Sequence, residues 1–185
     1  MFEARSVIDS IEAMKEKAEL LGATLSDHYS FWDIIFVPRD GAMDLNIHTI
    51  RLRVSEMNTQ LTKKAIVMEK KTLWSEKSKT DTIIFSEAFD SMLEALLWIG
   101  RHFYDSLRGE LGYFRRGWKY ELDGCHLYIE DMTVTDFPPT IEIEAETEED
   151  LCACCEKLGI GEISFYSVPE MVRQHLRSVS NKPKA

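Results

Sequence analysis

Glu142-Ile143-Glu144 decides the fold when it is read beside Glu3-Ala4-Arg5 and Arg51-Leu52-Arg53. Each string places charge on every second residue. In a β-strand, residues i and i+2 point to the same face. Each string therefore sets two charges side by side on one face and an apolar residue on the other. A solvated sheet face would alternate in the same way. The segregation of sign argues for more: one strand carries only arginines and another only glutamates. Basic strands and an acidic strand around a shared interior would make a seat for a polyphosphate and its metal ion.

Working outward from these strings, the spacing predicts eight strands, at residues 2–7, 29–37, 47–55, 64–73, 79–85, 111–121, 125–132 and 140–146. Pro38 closes the second strand and Asp40-Gly41 marks a loop after it. Asp123-Gly124 is a hairpin signal between the sixth and seventh strands, and Pro138-Pro139 marks a turn before the eighth. A helix follows the first strand, with Ile8, Ile11, Met14, Ala18 and Leu21 at helical spacing. Asp9 and Glu12 fit a capping box at its start and Gly22 a stop. A longer helix reads over 87–107, with an apolar stripe of Phe89, Met92, Leu93, Leu96, Leu97 and Phe103. Two more helices begin near Thr147 and near Ser167, the last with Pro169 just inside it. Sequential strands with few helices argue for an α+β chain. Its expected form is an eight-stranded antiparallel β-barrel, a tunnel flanked by helices. Residues 1–177 read as one domain and 178–185 as a disordered polar tail.

The chain has 185 residues, 44% of them hydrophobic and 29% charged, which is ordinary for a globular protein. Its 32 acidic and 22 basic residues leave a net charge of −10, a field that opposes nucleic acid. A local basic cavity can still take a small anion. No apolar run is long enough to span a bilayer. The N-terminus lacks a signal peptide's basic and apolar segments, so the expected location is cytoplasmic. Cys125, Cys152, Cys154 and Cys155 lack paired C-x-x-C spacing and read as reduced thiols on or near the core.

In their order along the chain these motifs resemble the CYTH family, also called triphosphate tunnel metalloenzymes. That family includes class IV adenylyl cyclases, thiamine triphosphatases and inorganic triphosphatases. The resemblance runs from about Phe2 to Tyr166. Its opening E-x-E-x-K signature aligns with Met1-Phe2-Glu3-Ala4-Arg5: Glu3 fits the second glutamate, Arg5 stands for the lysine, and Met1 takes the first glutamate's place. Arg51 and Arg53 match the R-x-R strand. Lys70, preferred over Lys71, matches the lysine of the next strand, and Lys79 and Asp81 match the following R-x-E weakly. The K-x-R strand becomes Tyr113-Phe114-Arg115, keeping the arginine; Arg116, on the other face, could substitute for the lysine. Asp131 matches the aspartate after the hairpin, Glu142-Ile143-Glu144 the closing E-I-E, and Tyr166 a late residue that caps the tunnel.

The resemblance implies that Arg5, Arg51, Arg53, Lys70, Lys79 and Arg115 bind a triphosphate. It implies that Glu3, Asp131, Glu142 and Glu144 hold Mg²⁺ or Mn²⁺. The chemistry agrees, because arginine's planar fork suits phosphate oxygens and carboxylates suit hard cations. Each residue also has a plainer reading: Arg51 and Arg53 could pair across strands with glutamates on a wet face, and Lys70 lies in a charged run of surface type. The expected function is metal-dependent hydrolysis of an inorganic, thiamine or nucleoside triphosphate, with no nucleic-acid or membrane partner and no assigned catalytic base. A class IV-like adenylyl cyclase ranks second, because such cyclases carry a fuller first-strand signature preceded by His-Phe. A non-catalytic triphosphate binder is the third reading, raised by the missing glutamate. The sequence leaves monomer and homodimer open.

Overall fold

The computed structural model describes residues 1–41, 43–55, 64–74, 78–103, 106–134, 136–161, 163 and 166–180. Twelve elements are formed in the order β1 (Phe2–Val7), α1 (Ile11–Leu20), β2 (Thr24–Pro38), β3 (His48–Ser55), β4 (Lys64–Trp74), β5 (Lys79–Phe89), α2 (Met92–Phe103), β6 (Leu107–Leu122), β7 (Cys125–Met132), β8 (Thr140–Ala145), α3 (Glu148–Lys157) and α4 (Val168–Ser180). The strands close into an antiparallel barrel in the order β1-β5-β4-β3-β2-β6-β7-β8. The expected α+β tunnel is therefore the observed fold.

Alternation explains both the closure and the cover. Ile141, Ile143 and Ala145 of β8, Ala4 of β1, and Leu127 and Ile129 of β7 point outward and are buried. With Leu151 and Leu158 and the partly buried Ile11 and Met14, they form one core cluster under α1 and α3. A second cluster joins Ile50, Leu52 and Val54 of β3 to Ala95 and Ile99 of α2 and to Val168 and Val172 of α4. The charged residues of the same strands are left facing inward.

Several boundaries differ from the sequence reading. The helix expected over 87–107 is shorter, because β5 continues through Phe89 and keeps its pairing to β4, with Ala65 opposite Phe89. A continuous ladder of backbone hydrogen bonds there outweighs the helical spacing of Phe89. Strands β2 and β6 begin earlier than expected and pair along most of their length, from Thr24 opposite Glu121 to Pro38 opposite Leu107. Residues 24–28 are solvent-exposed, so they carry no apolar alternation to announce a strand. The N-cap of α1 is Ser10, not Asp9; its hydroxyl accepts from the Ala13 amide at 3.3 Å. Gly22, at φ +93°, ends that helix as expected. Asp123 and Gly124 both have positive φ, as a type I′ hairpin requires. Helix α4 runs to Ser180, so Ser178, Val179 and Ser180, expected in a disordered tail, are helical. Residues 181–185 lie outside the described residues. Among the described residues no helix is long and apolar enough to cross a membrane. All four cysteines are free thiols, three of them buried.

Candidate functional site

The barrel encloses a cavity of about 380 Å³ lined by inward-pointing residues of all eight strands. Ser167, Val168 and Pro169, at the start of α4, line it as well. Ser167 fixes that helix start: its hydroxyl donates to the Leu45 carbonyl at 2.7 Å and accepts from the Glu170 amide at 3.3 Å. The cavity has an acidic region and a basic one.

The acidic region comes from the pairing of β1 with β8, where Glu3 lies opposite Glu144 and Arg5 opposite Glu142. Glu3, Glu142 and Glu144 each bring a carboxylate oxygen within 4.8 Å of the other two. Burial and the neighbouring Glu142 push the Glu3 carboxyl up to about 7. The same two causes raise Glu144, whose carboxylate accepts from the Tyr128 hydroxyl at 2.9 Å. Glu142 moves the other way. Although burial alone would raise it, Arg5 and Lys79 hold it well below the ordinary glutamate range. The Lys79 ammonium contacts Glu3 and lies 3.3 Å from Glu142. Crowded carboxylates that resist joint ionisation are a natural seat for a cation.

The basic region is built around Asp33 of β2, which is fully buried. Arg53 donates to both Asp33 oxygens, from Nε at 2.8 Å and from Nη2 at 2.9 Å. Arg115 Nη2 lies 3.4 Å and Arg51 Nη1 3.7 Å from the same carboxylate. These arginines hold Asp33 well below the usual carboxylate range against the opposing effect of burial. Arg51 is the least compensated of them: burial, Arg53 and Arg115 all lower it. The Arg53 guanidinium lies 3.5 Å from the centre of the Phe31 ring, which fixes its plane. Between the two regions, Glu130 accepts from Arg5 at 2.8 Å, from Arg115 at 2.9 Å and from the Tyr29 hydroxyl at 2.8 Å. Lys70 is paired with Asp81, which also accepts from Thr72 at 2.6 Å. The Nε donors of Arg5 and Arg115 are buried and have no hydrogen-bond acceptor among the described residues. Such donors fit a bound anion.

The expected site residues Arg5, Arg51, Arg53, Lys70, Lys79, Arg115, Glu3, Glu142 and Glu144 all line this one cavity. Lys71 is exposed, so the preference for Lys70 agrees with the geometry. Asp131 is a correction. It points to the outer face, where Arg116 binds it at 2.7 Å. The register explains this: Arg116 and Asp131 are directly opposed, and one residue earlier Glu130 occupies the inner face. Tyr166 is exposed and absent from the cavity lining; Ser167, Val168 and Pro169 line that part. Asp33, Tyr29, Tyr128 and Glu130 were missed. Asp33 had a legible signal, a lone acid inside the apolar run 31–37. Glu130 is two residues from Tyr128 and four from His126, so strand parity alone would have chosen it over Asp131.

No protein-family model and no curated sequence matches the chain. Its fold is shared by solved structures at low identity. The PH1819 protein of Pyrococcus horikoshii superposes with a TM-score of 0.77 at 15% identity, covering 94% of this chain and 98% of that one. HpAC1 of Hippeastrum, a candidate adenylyl cyclase with a dominant triphosphatase activity, gives 0.68 at 18% identity, covering 94% and 95%. A chain of the Schizosaccharomyces pombe Mediator head module gives 0.59 at 11%, covering 88% and 96%. Proteins named so differently share one tunnel fold, so the fold alone does not fix a reaction.

Proposed function

We propose that the protein is a metal-dependent triphosphatase that hydrolyses a small triphosphate inside the barrel. One observation carries this reading: three converging carboxylates and a set of buried arginines share one cavity inside the barrel. Glu3, Glu142 and Glu144 would hold Mg²⁺ or Mn²⁺, hard cations that suit all-oxygen ligands. When bound, that ion offsets charge on the phosphoryl oxygens. Arg51, Arg53 and Arg115 orient the phosphate chain, Asp33 keeping their guanidinium groups in place. The arginine N–H groups that face the cavity, with the Arg5 and Arg115 Nε donors, supply charge-assisted hydrogen bonds to non-bridging oxygens. The triphosphatase activity named for the Hippeastrum neighbour is in keeping with this reading.

A second reading has its own support. Lys79 already sits between Glu3 and Glu142, as a built-in cation would. This favours a tunnel that binds a triphosphate without metal and without turnover. Phosphate and diphosphate release should be measured with inorganic triphosphate, thiamine triphosphate and ATP, each with Mg²⁺, Mn²⁺ or a chelator. The hydrolase reading expects metal-dependent phosphate release. Tight binding without turnover would establish the binder, and diphosphate release with a cyclic nucleotide from ATP would establish a cyclase.

A further inference from the structure

We infer that the outward face of α2 is the contact surface for a second copy of this chain, the two helices packing antiparallel about a twofold axis. The helix is apolar nearly all round: in Met92–Phe103 only Glu94, Arg101 and His102 carry polar heads. A helix with apolar residues on every side calls for cover on every side. The barrel covers one side, through Ala95 and Ile99 and the partly buried Trp98, whose ring meets Phe85 and Phe89 of β5. The opposite side presents Met92, Leu93, Leu96 and Leu97 to solvent; Leu93 is 65% and Leu97 51% exposed. Strand β5, on which α2 packs, also exposes Ile83 and Ile84. Lone exposed leucines are ordinary, but a contiguous stripe of this kind marks an interaction surface.

Charge selects the partner. Glu94 and Arg101 are seven residues apart, two helical turns, so they flank the stripe on one side, acid near the start and base near the end. Neither makes an ion pair among the described residues. In an antiparallel self-pairing, Glu94 meets Arg101 of the second copy and Arg101 meets Glu94 of the second copy. The apolar stripe is shared between them, as a twofold contact requires. A parallel twofold arrangement would place the two charged flanks on opposite edges of the contact, where neither charge meets its counterpart. Gly100 lies on the same stripe, and a methyl group there would meet nothing within 4 Å. With Glu94 level with Arg101, Gly100 falls between Leu93 and Leu96 of the second copy, a small residue among large ones. An anionic membrane surface is the less suitable occupant, since the chain carries a net charge of −10 and the stripe has a single arginine.

The test is sedimentation equilibrium of the full chain across the micromolar range, with thermal melts to show that each variant is folded. The parent is expected to dimerise, and Leu97→Glu to be a folded monomer. Glu94→Arg alone and Arg101→Glu alone each create two like-charge contacts and should weaken the dimer on the order of tenfold. The double reversal, Glu94→Arg with Arg101→Glu, should restore it. The two single variants, mixed, should form a heterodimer tighter than either forms alone. A monomeric parent, a dimer indifferent to these charges, or an unrestored double reversal would overturn the inference.

Discussion

Two carboxylates inside the barrel, the fully buried Asp33 and the half-buried Glu144, respond in opposite ways to neutralisation. Asp33 is held far below its ordinary value by Arg53, Arg51 and Arg115, so its charge stabilises the fold. For a depressed carboxyl, that contribution is complete above about pH 4 and is lost as pH falls through the folded value. Asp33→Asn leaves the arginines without their counterion and should cost about 3–5 kcal/mol. Urea melts between neutral pH and the acid limit of folding should also show a shallower loss of stability on acidification than in the parent. Glu144 is raised by burial and by Glu142, so its ionised form is the disfavoured one in the folded chain. The sign therefore reverses: this group's contribution falls as pH rises past the ordinary glutamate value. Glu144→Gln should melt no lower than the parent at neutral pH, yet lose metal-dependent turnover, because an amide lacks the anionic oxygen a hard cation prefers. A large fall in melting temperature with full activity would show that Glu144 is a structural residue and not a metal ligand.

At the scale of elements, the alternation of charged and apolar residues made most of the barrel legible. Arg51 and Arg53, or Glu142 and Glu144, announce an inner face because their neighbours Leu52 and Ile143 must be covered from outside. Two kinds of information were not legible. The exposed start of β2 and the end of β5 owe their extent to pairing with distant strands, which leaves no local pattern. Asp131 was chosen by alignment of motifs, where parity along β7 places Glu130 inside. Gly117 of β6 is a third case, a strand glycine whose reason is visible only in Tyr29, its opposed residue on the neighbouring β2. A side-chain carbon there would lie 2.4 Å from Cζ of the Tyr29 ring. Gly117 thus lets Tyr29 lie flat across β6 and reach Glu130. Gly117→Ala should push the ring away, cost roughly 1–3 kcal/mol through overpacking, and free Glu130 from its tyrosine partner. A chemical melt paired with tyrosine fluorescence or an NMR spectrum of the ring would check both effects; an unchanged melt would mean the ring moves without penalty.

For the whole molecule, the decisive quantity is charge balance inside a closed wall. Seven cationic and six carboxylate side chains line the cavity, and the fully buried Asp33 behind the arginines is a seventh acid, so the tunnel that could receive a polyanion is formally neutral. Its arginines are committed to Asp33 and Glu130, and its acidic region repels further negative charge. A triphosphate entering alone brings several negative charges into a space that offers little net compensation. A divalent cation entering alone displaces protons and the Lys79 contact. Together they neutralise much of each other, and each finds its own region. Ligand and metal should therefore bind with positive coupling, on the order of 1–3 kcal/mol. The coupling is reciprocal, so Mg²⁺ should tighten triphosphate by the same factor that triphosphate tightens Mg²⁺. Thermal melts read it directly, because anything that binds the folded state raises the melting temperature by mass action. The four conditions to compare are the protein alone, with inorganic triphosphate and a chelator, with Mg²⁺, and with both. The combined shift should exceed the sum of the separate shifts by several degrees, given about 2–4 °C per kcal/mol for a chain of this length. In Glu144→Gln the excess should vanish, while the shift from triphosphate alone persists. Equal stabilisation by triphosphate with chelator and with Mg²⁺ would mean that Lys79 already supplies the cation the acidic region needs, and the metal-free binder would then be the better description of the tunnel.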